Sequence, residues 1–526
     1  MLSVLREFGV HPNAFHHALE AWQVPELLKH LKPNITIAIF ADNALYKAEA
    51  CDANLRAPKI LNDHGVNVVL KSDHTGEGNY AKFLLDQASI AHSFGLPADK
   101  ALQSVTSIHA NSIAQGHRVG YICSGYDADL VIWDDHPLQV GATAVEVFID
   151  GRPLLAKNLQ IWIRNDICSS IRDPVGPIVF TGIQQVLIDH PGLESEERNL
   201  VLVTENNRVS CLGSRNTCLS QYRTVANITK VPLQNGYITP GLIAFGNNIG
   251  IQDIPSEPST GDGVAGRTGD LLNEAKTVHF AKYGVHLHGK AFDRARIGGV
   301  MRAISPPHGS GVVQGVSVGV YTGSDETILG GGIWKEDVVL HFSVGDGAKD
   351  DTPTVGSGIE AIQAASKAST AIPTQSSEWV AEPVAEANIS VILTGNRGAP
   401  DTWEKKDTLP GPPLSEIPAK VLLDAGVQVG LAVRDNSALH ALAREARWAG
   451  KFAGLSDKEA IGLVSINIER ILGLTNVAGV DADQDGYPGD SVVWEGNPLR
   501  GGGSVAVFLT RDGRIGDCWP DDDGSV

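Results

Sequence analysis

Two apolar runs in this 526-residue chain close on an acid: HGVNVVLKSD ends at Asp73, and AGVQVGLAVRD ends at Asp435. A carboxylate at the end of a buried strand can carry a proton to or from a reacting group. It can equally cap the helix that follows, which is the commoner use of a strand-ending Asp. Imidazoles accompany the first acid. His74 follows it directly, and His16 and His17 end an earlier strand-like run. An imidazole can ligate a metal, move a proton or bond a backbone carbonyl. Side chains alternate along a strand, so only one of His16 and His17 is expected to face a common interior. The run Asp481, Asp483, Asp485, Gly486 imitates a calcium loop, but Val492 stands at its twelfth position. A bidentate Glu is required there, so a solvated acidic turn is expected.

The elements that would hold these groups follow from periodicity. Strands are expected at Val10 to His17, Ile35 to Asp42 and Val66 to Asp73, separated by helix-length segments. In HALEAWQVPELLKHL, Leu19, Trp22, Leu27, Leu28 and Leu31 are expected to form one apolar face. Continuous apolar strands between amphipathic helices imply a parallel sheet covered on both faces, in a barrel or a doubly wound sheet. The barrel is preferred. A repeat organises the rest. GYDADLVIWDDHPL from Gly125 matches GYPGDSVVWEGNPL from Gly486, and FGLPADKALQSVTS from Phe94 matches FAGLSDKEAIGLVS from Phe452. Between the copies, Val179 to Gly213 reads as short alternating strands suited to a small β-sandwich, and a second barrel starts near ITPGLIAFG.

A chain of this length can bury at least two cores. Hydrophobic content of 42%, with 57 Gly and 27 Pro, describes a globular α/β protein rich in turns. The net charge of −19 repels phosphate backbones and anionic headgroups, which argues against nucleic acid as a partner. No membrane-spanning run or signal peptide is read in the sequence as written, giving a cytoplasmic expectation. An upstream signal or anchor would change that expectation to secreted or membrane-anchored. Cys211 and Cys218 flank a short turn and could pair in an oxidising compartment, but free thiols are the expectation for six cysteines in so long a chain.

These phrases together resemble the amidohydrolase superfamily, specifically imidazolonepropionase-like, fungal-type proteins with two tandem units. The matching phrases are AFHHALEAWQVPELL, FADNALYKAEA, LKSDH and GYDADLVIWDDHPL in the first part, and YITPGLIAFG, KAFDRARIGGVMRAISPP, DTWEKKDTLPGPPLSE and SINIERILGL in the second. The resemblance implies an α/β fold: a (β/α)8 TIM-type barrel with a small β-sandwich, present as a truncated first copy and a degenerate second copy. The expected divisions are 1–118 for the end of the first barrel and 119–165 for return strands of its sandwich. They continue with 166–236 for the strands opening the second sandwich, 237–475 for the second barrel and 476–526 for its return strands.

By resemblance the chain acts on a small-molecule substrate, hydrolysing non-peptide carbon–nitrogen bonds of cyclic amides or amidines through water activated by Zn²⁺ or another divalent metal. Asp73 matches the proton-carrying acid at the end of the last strand, and His16 or His17 the position of a metal ligand. His74 and Lys47 are candidates for substrate contact. The first-strand H-x-H would lie upstream of Met1, so the metal site is expected to be incomplete. In the second copy Gly246 and Asn248 occupy the H-x-H positions, and neither is a good zinc ligand. His286 and His288 in VHLHGK fall in what the resemblance makes a helix and turn. Alternative readings are a catalytically inactive scaffold, a truncated gene model, or an N-acetyl-sugar deacetylase.

Overall fold

Three short aliphatic runs near the start form adjacent parallel strands: β1 (Ala14–His16), β2 (Thr36–Ile39) and β3 (Asn67–Leu70). His16 lies opposite Ala38, and Ala38 opposite Val69. Phe15, Ile37, Ile39, Val68 and Leu70 point to one side, into a core shared with Leu61, Ala91 and Leu96. Ala38 and Val69 are buried on the other side, as expected of a parallel sheet covered on both faces. β1 starts later than its apolar pattern, because Pro12 offers no backbone donor to a ladder and Val10 is exposed.

These strands belong to the first of two compact units, Met1–Asn165 with Pro412–Ser415 and Asp523–Val526; the second is Asp166–Gly411 with Glu416–Asp522. The computed structural model describes residues 2–31, 34–41, 52–72, 84–153, 177–188, 200–205, 208–220, 228–254, 257–263, 278–308, 313–323, 327–342, 371–373, 381–394, 409, 411–412, 415–433, 436–474, 490–500 and 504–509.

The single helix expected after β1 is broken. A 3-10 turn at Ala21–Gln23 gives way to a helix at Pro25–Lys29 that opens on its proline. Pro25 lacks an N–H and its ring clashes with a preceding turn, so the chain restarts its helix there. The apolar face is interrupted as a result: Leu28 is buried and Leu19, Trp22 and Leu31 pack on the core, but Leu27 is 52% exposed. The unit also contains an antiparallel sheet of β4 (Leu130–Trp133), β5 (Ala144–Ile149) and β6 (Arg152–Pro153).

In the second unit the expected sandwich strands lie, among the described residues, in one six-stranded sheet. Its members are β7 (Ile178–Val186), β8 (Leu200–Glu205), β9 (Arg208–Gly213), β10 (Thr229–Pro240), β20 (Ser491–Glu495) and β21 (Ser504–Leu509), in the order β21-β20-β10-β7-β8-β9. Phe180, Ile183, Leu202, Ile238 and Val493 fill one side. Cys211 on β9 is disulfide-bonded to Cys218 in the helix Arg215–Leu219. The thiols expected to be free are therefore paired, because the turn brings their Cα atoms to 5.5 Å, within disulfide range.

The remaining strands are mixed. β11 (Leu242–Phe245) pairs parallel with β12 (Val300–Ser305), which pairs antiparallel with β14 (Val318–Tyr321) and through it with β15 (Ile333–Lys335). β13 (Val313–Val316) pairs antiparallel with β16 (Leu340–Phe342), and β17 (Ala371–Pro373), β18 (Ser390–Leu393) and β19 (Val429–Leu431) form a parallel trio. Ile243, Phe245, Ile304, Ile392 and Ala432 share one core, joining the sheets of β11 and β18. The architecture is mixed α/β. Arg302 crosses its interior, with Nε 3.1 Å from Asp490 Oδ2 and a second ion pair to Glu469.

Candidate active site at the strand ends

The C-terminal ends of β1, β2 and β3 lie side by side in the first unit. β1 ends at His16, and the next residue, His17, adopts φ +54°. Left-handed backbone is uncommon outside glycine, and here it undoes the alternation that would have sent His17 to the opposite face. His17 Nε2 lies 2.5 Å from Lys71 Nζ, and its ring meets Phe40 edge-on at 5.5 Å. Lys71 Nζ is 4.7 Å from the Phe40 centroid. Phe40 and Lys71 follow β2 and β3, on the side away from the helix-packed core, so the ends of three neighbouring strands converge. Both histidines belong to this rim, where alternation alone allows one.

Each contact has a local cause. Lys71 is held because its backbone N donates to Ile39 O at 3.1 Å, extending the ladder past β3. The end of β2 is fixed by buried Gln87, whose Oε1 accepts from Ala41 N at 2.8 Å. An ammonium has donors only, so Lys71 makes His17 Nε2 an acceptor and leaves that ring's proton on Nδ1. A third imidazole, unforeseen from the sequence, is His109 on the helix Ser107–Ser112. Burial lowers its pKa, and proximity to His16 lowers it further. No pattern in SIHANS signalled this.

Asp73, His74 and Lys47 lie outside the described residues. In sequence, Asp73 is two residues beyond Lys71. Zinc needs three or four protein ligands. His17 already bonds Lys71 through Nε2, which leaves His16 and His109 as imidazole donors. Among the described residues no group of three or more His, Cys, Asp or Glu could hold a metal ion. The described rim therefore does not complete a zinc site.

The corresponding strand end in the second unit is built from amides. After Phe245, Gly246 turns the chain at φ +76°. Asn248 Nδ2 is 2.9 Å from His308 Nδ1, its backbone N donates to Asn436 Oδ1 at 3.1 Å, and Asn436 Nδ2 donates to Gln252 O at 2.9 Å. His341, on β16, stacks on Phe245 at 5.6 Å. Burial pushes its pKa down to about 4, so it is neutral at physiological pH. Among the described residues His341 Nε2 and Asn247 Nδ2 are buried without hydrogen-bond partners. The histidine inside the apolar VVLHF run was the available signal for this residue. Asp435, immediately before Asn436, lies outside the described residues. In VHLHGK, residues 285–289 are irregular chain ahead of the helix Lys290–Ile297, so neither histidine lies in a helix. Its His286 N donates to Gly250 O at 2.8 Å, and Gly289 takes φ +128° where a Cβ would meet Asp253 Oδ1 at 2.5 Å.

Residues 3–157, which contain the whole rim of the first unit, match the profile of the Amidohydrolase family. A curated relative, amidohydrolase tasK of Hapsidospora irregularis, is 28% identical over 589 residues, covering 90% of this chain. The first unit is thus similar in sequence to amidohydrolases. The chain spans 58% of the length of that relative. Among solved structures it is similar to an amidohydrolase from Thermotoga maritima MSB8, at 16% identity and a TM-score of 0.49, over 64% of this chain and 99% of the other. It is also similar to A. niger ochratoxinase, at 15% identity and a TM-score of 0.37, over 66% of this chain and 99% of the other. Among the described residues no helix is long and apolar enough to cross a membrane.

Proposed function

We propose that the first unit carries the reacting groups of a hydrolase for non-peptide carbon–nitrogen bonds, acting on small cyclic amides or amidines. One observation supports this above others: His16, His17 and Lys71 converge at the ends of adjacent parallel strands within the segment that matches the Amidohydrolase family. Asp73 follows two residues after Lys71, in the position for a strand-end proton carrier. In this reading the strands belong to a (β/α)8 barrel, whose active groups gather at the C-terminal rim. Asp73 accepts a proton from the attacking water and returns it to the leaving nitrogen. Lys71 holds the His17 ring in place. The expectation of Zn²⁺ rests on the resemblance, and no step is assigned to it because the described residues do not complete its ligand set.

The second unit serves as a non-catalytic companion in this proposal. Gly246 offers no side chain and Asn248 is engaged with His308, so that strand end lacks the imidazole pair of its family. The same arrangement favours a second reading, in which the entire chain is a binding scaffold.

Turnover separates the two readings. The purified chain is offered a panel of five- and six-membered cyclic amides and amidines after dialysis against chelator, with and without added Zn²⁺, and ring opening is followed by mass spectrometry. The hydrolase reading expects turnover of at least one class. Absence of ring opening under every condition overturns it in favour of the scaffold.

A further inference from the structure

The chain holds three Asn-x-Ser/Thr triplets without a central proline: Asn34-Ile35-Thr36, Asn227-Ile228-Thr229 and Asn388-Ile389-Ser390. This is the acceptor triplet for an asparagine-linked glycan. In each, the hydroxyl residue opens a strand: Thr36 starts β2, Thr229 starts β10 and Ser390 starts β18. Asn34 and Asn388 are exposed. Asn227 lies outside the described residues.

Such triplets also arise by chance, so their placement decides. Asn388 follows the helix Ala381–Glu386 at φ +52°, where its N donates to Ala385 O at 2.9 Å and Ile389 N donates to Val384 O at 3.0 Å. That pair of bonds closes a helix on a left-handed residue, for which glycine is the usual choice. Two sister turns use it. Gly65, between the helix Ala57–Asp63 and β3, and Gly426, between the helix Pro418–Asp424 and β19, have positive φ and the same pair of backbone bonds. Asparagine tolerates this backbone better than most side chains, which accounts for Asn388 but not for the hydroxyl two residues on.

Both exposed asparagines stand where a bulky group leaves the strand ends open. Asn34 precedes β2, at the N-terminal end of the parallel strands whose C-terminal ends carry His16, His17 and Lys71. Asn388 precedes β18 in the parallel trio of the second unit. An independent observation points the same way. The disulfide Cys211–Cys218 belongs to an oxidising compartment, and such glycans are attached in one.

We propose that Asn34 and Asn388 are N-glycosylation sites, filled on a secretory route. The amide Nδ2 attacks the anomeric carbon of a lipid-pyrophosphate-linked oligosaccharide. The N–C bond forms and the bond from that carbon to the pyrophosphate oxygen breaks; the lipid pyrophosphate leaves with the electron pair, and the amide gives up one proton. Thr36 is 4% exposed in the folded unit, so its triplet is read on the nascent chain before β2 pairs.

The full chain is purified from the cells that produce it and treated with peptide N-glycosidase in heavy-oxygen water, which converts each glycan-bearing asparagine to labelled aspartate. Peptide mass spectrometry should find the label at positions 34 and 388. In variants made in the same cells, Ser390→Ala should abolish the label at 388 and Ser390→Thr should keep it. Ser390 is only partly buried, so both variants should keep the wild-type melting temperature. Unlabelled asparagine at both positions overturns the proposal, and at one position it overturns that assignment. Label that appears without the glycosidase, or that survives Ser390→Ala, reports deamidation and overturns it as well.

Discussion

His341 should make the second unit acid-sensitive. Its imidazole is buried on β16 against Phe245 with Nε2 unpartnered, and burial lowers its pKa from 6.5 to about 4. Above pH 6.5 the ring is neutral in both folded and unfolded chains and contributes nothing to the pH dependence. Between pH 6.5 and about 4 the unfolded chain binds a proton that the folded chain refuses, so stability falls as pH falls. Each pH unit in that window is worth about 1.4 kcal/mol, which gives a loss of about 3 kcal/mol. His341→Met keeps the packing volume and removes the titration. The assay is hydrogen exchange by mass spectrometry on peptides spanning 333–342, at pH 7.5 and pH 4.0 after correction for intrinsic exchange. Protection in wild type should fall about a hundredfold more than in His341→Met, the fold-change equivalent to about 3 kcal/mol. An equal fall in both proteins would refute the burial argument.

Three further outcomes follow from the packing. Replacing both Cys211 and Cys218 by Ser should destabilise the second unit by about 2–3 kcal/mol, the chain-entropy value for so short a loop; intact mass under non-reducing conditions should show the wild-type pair two hydrogens lighter. Arg302→Met removes the buried cation shared by Glu469 and Asp490, and should cost about 3–5 kcal/mol in urea unfolding because both carboxylates lose that cation in the interior. In the first unit Leu28→Ala should cost about 2–5 kcal/mol, whereas Leu27→Ala should stay within about 0.5 kcal/mol, since Leu27 is 52% exposed.

What the sequence disclosed was set by periodicity. The apolar runs at β2 and β3 announced buried parallel strands, and the matched V-x-W phrases announced β4 and β20; the register shift that the two strands share was not legible in the spacing. Pro25 was visible in HALEAWQVPELL, but the apolar spacing across it read as one helix when the backbone treats it as two. The histidine pair exposed the limit of alternation: the rule assumes extended backbone, and a positive φ at His17 is a tertiary choice stabilised by contact with Phe40 and Lys71. His109 and His341 could not be assigned from spacing, because each meets its neighbours through long-range packing. The paired cysteines were misjudged from chain length, when the tight turn between β9 and its helix decides the distance.

In the proposed hydrolase, proton transfer belongs to the rim of the first unit and not to its counterpart in the second. The most direct test compares cyclic-amide turnover by Asp73→Asn and Asp435→Asn, two isosteric changes at acids that match in sequence. Turnover should fall at least about a hundredfold for Asp73→Asn and stay at the wild-type level for Asp435→Asn. Full activity in Asp73→Asn, or an equal loss in both variants, would contradict it.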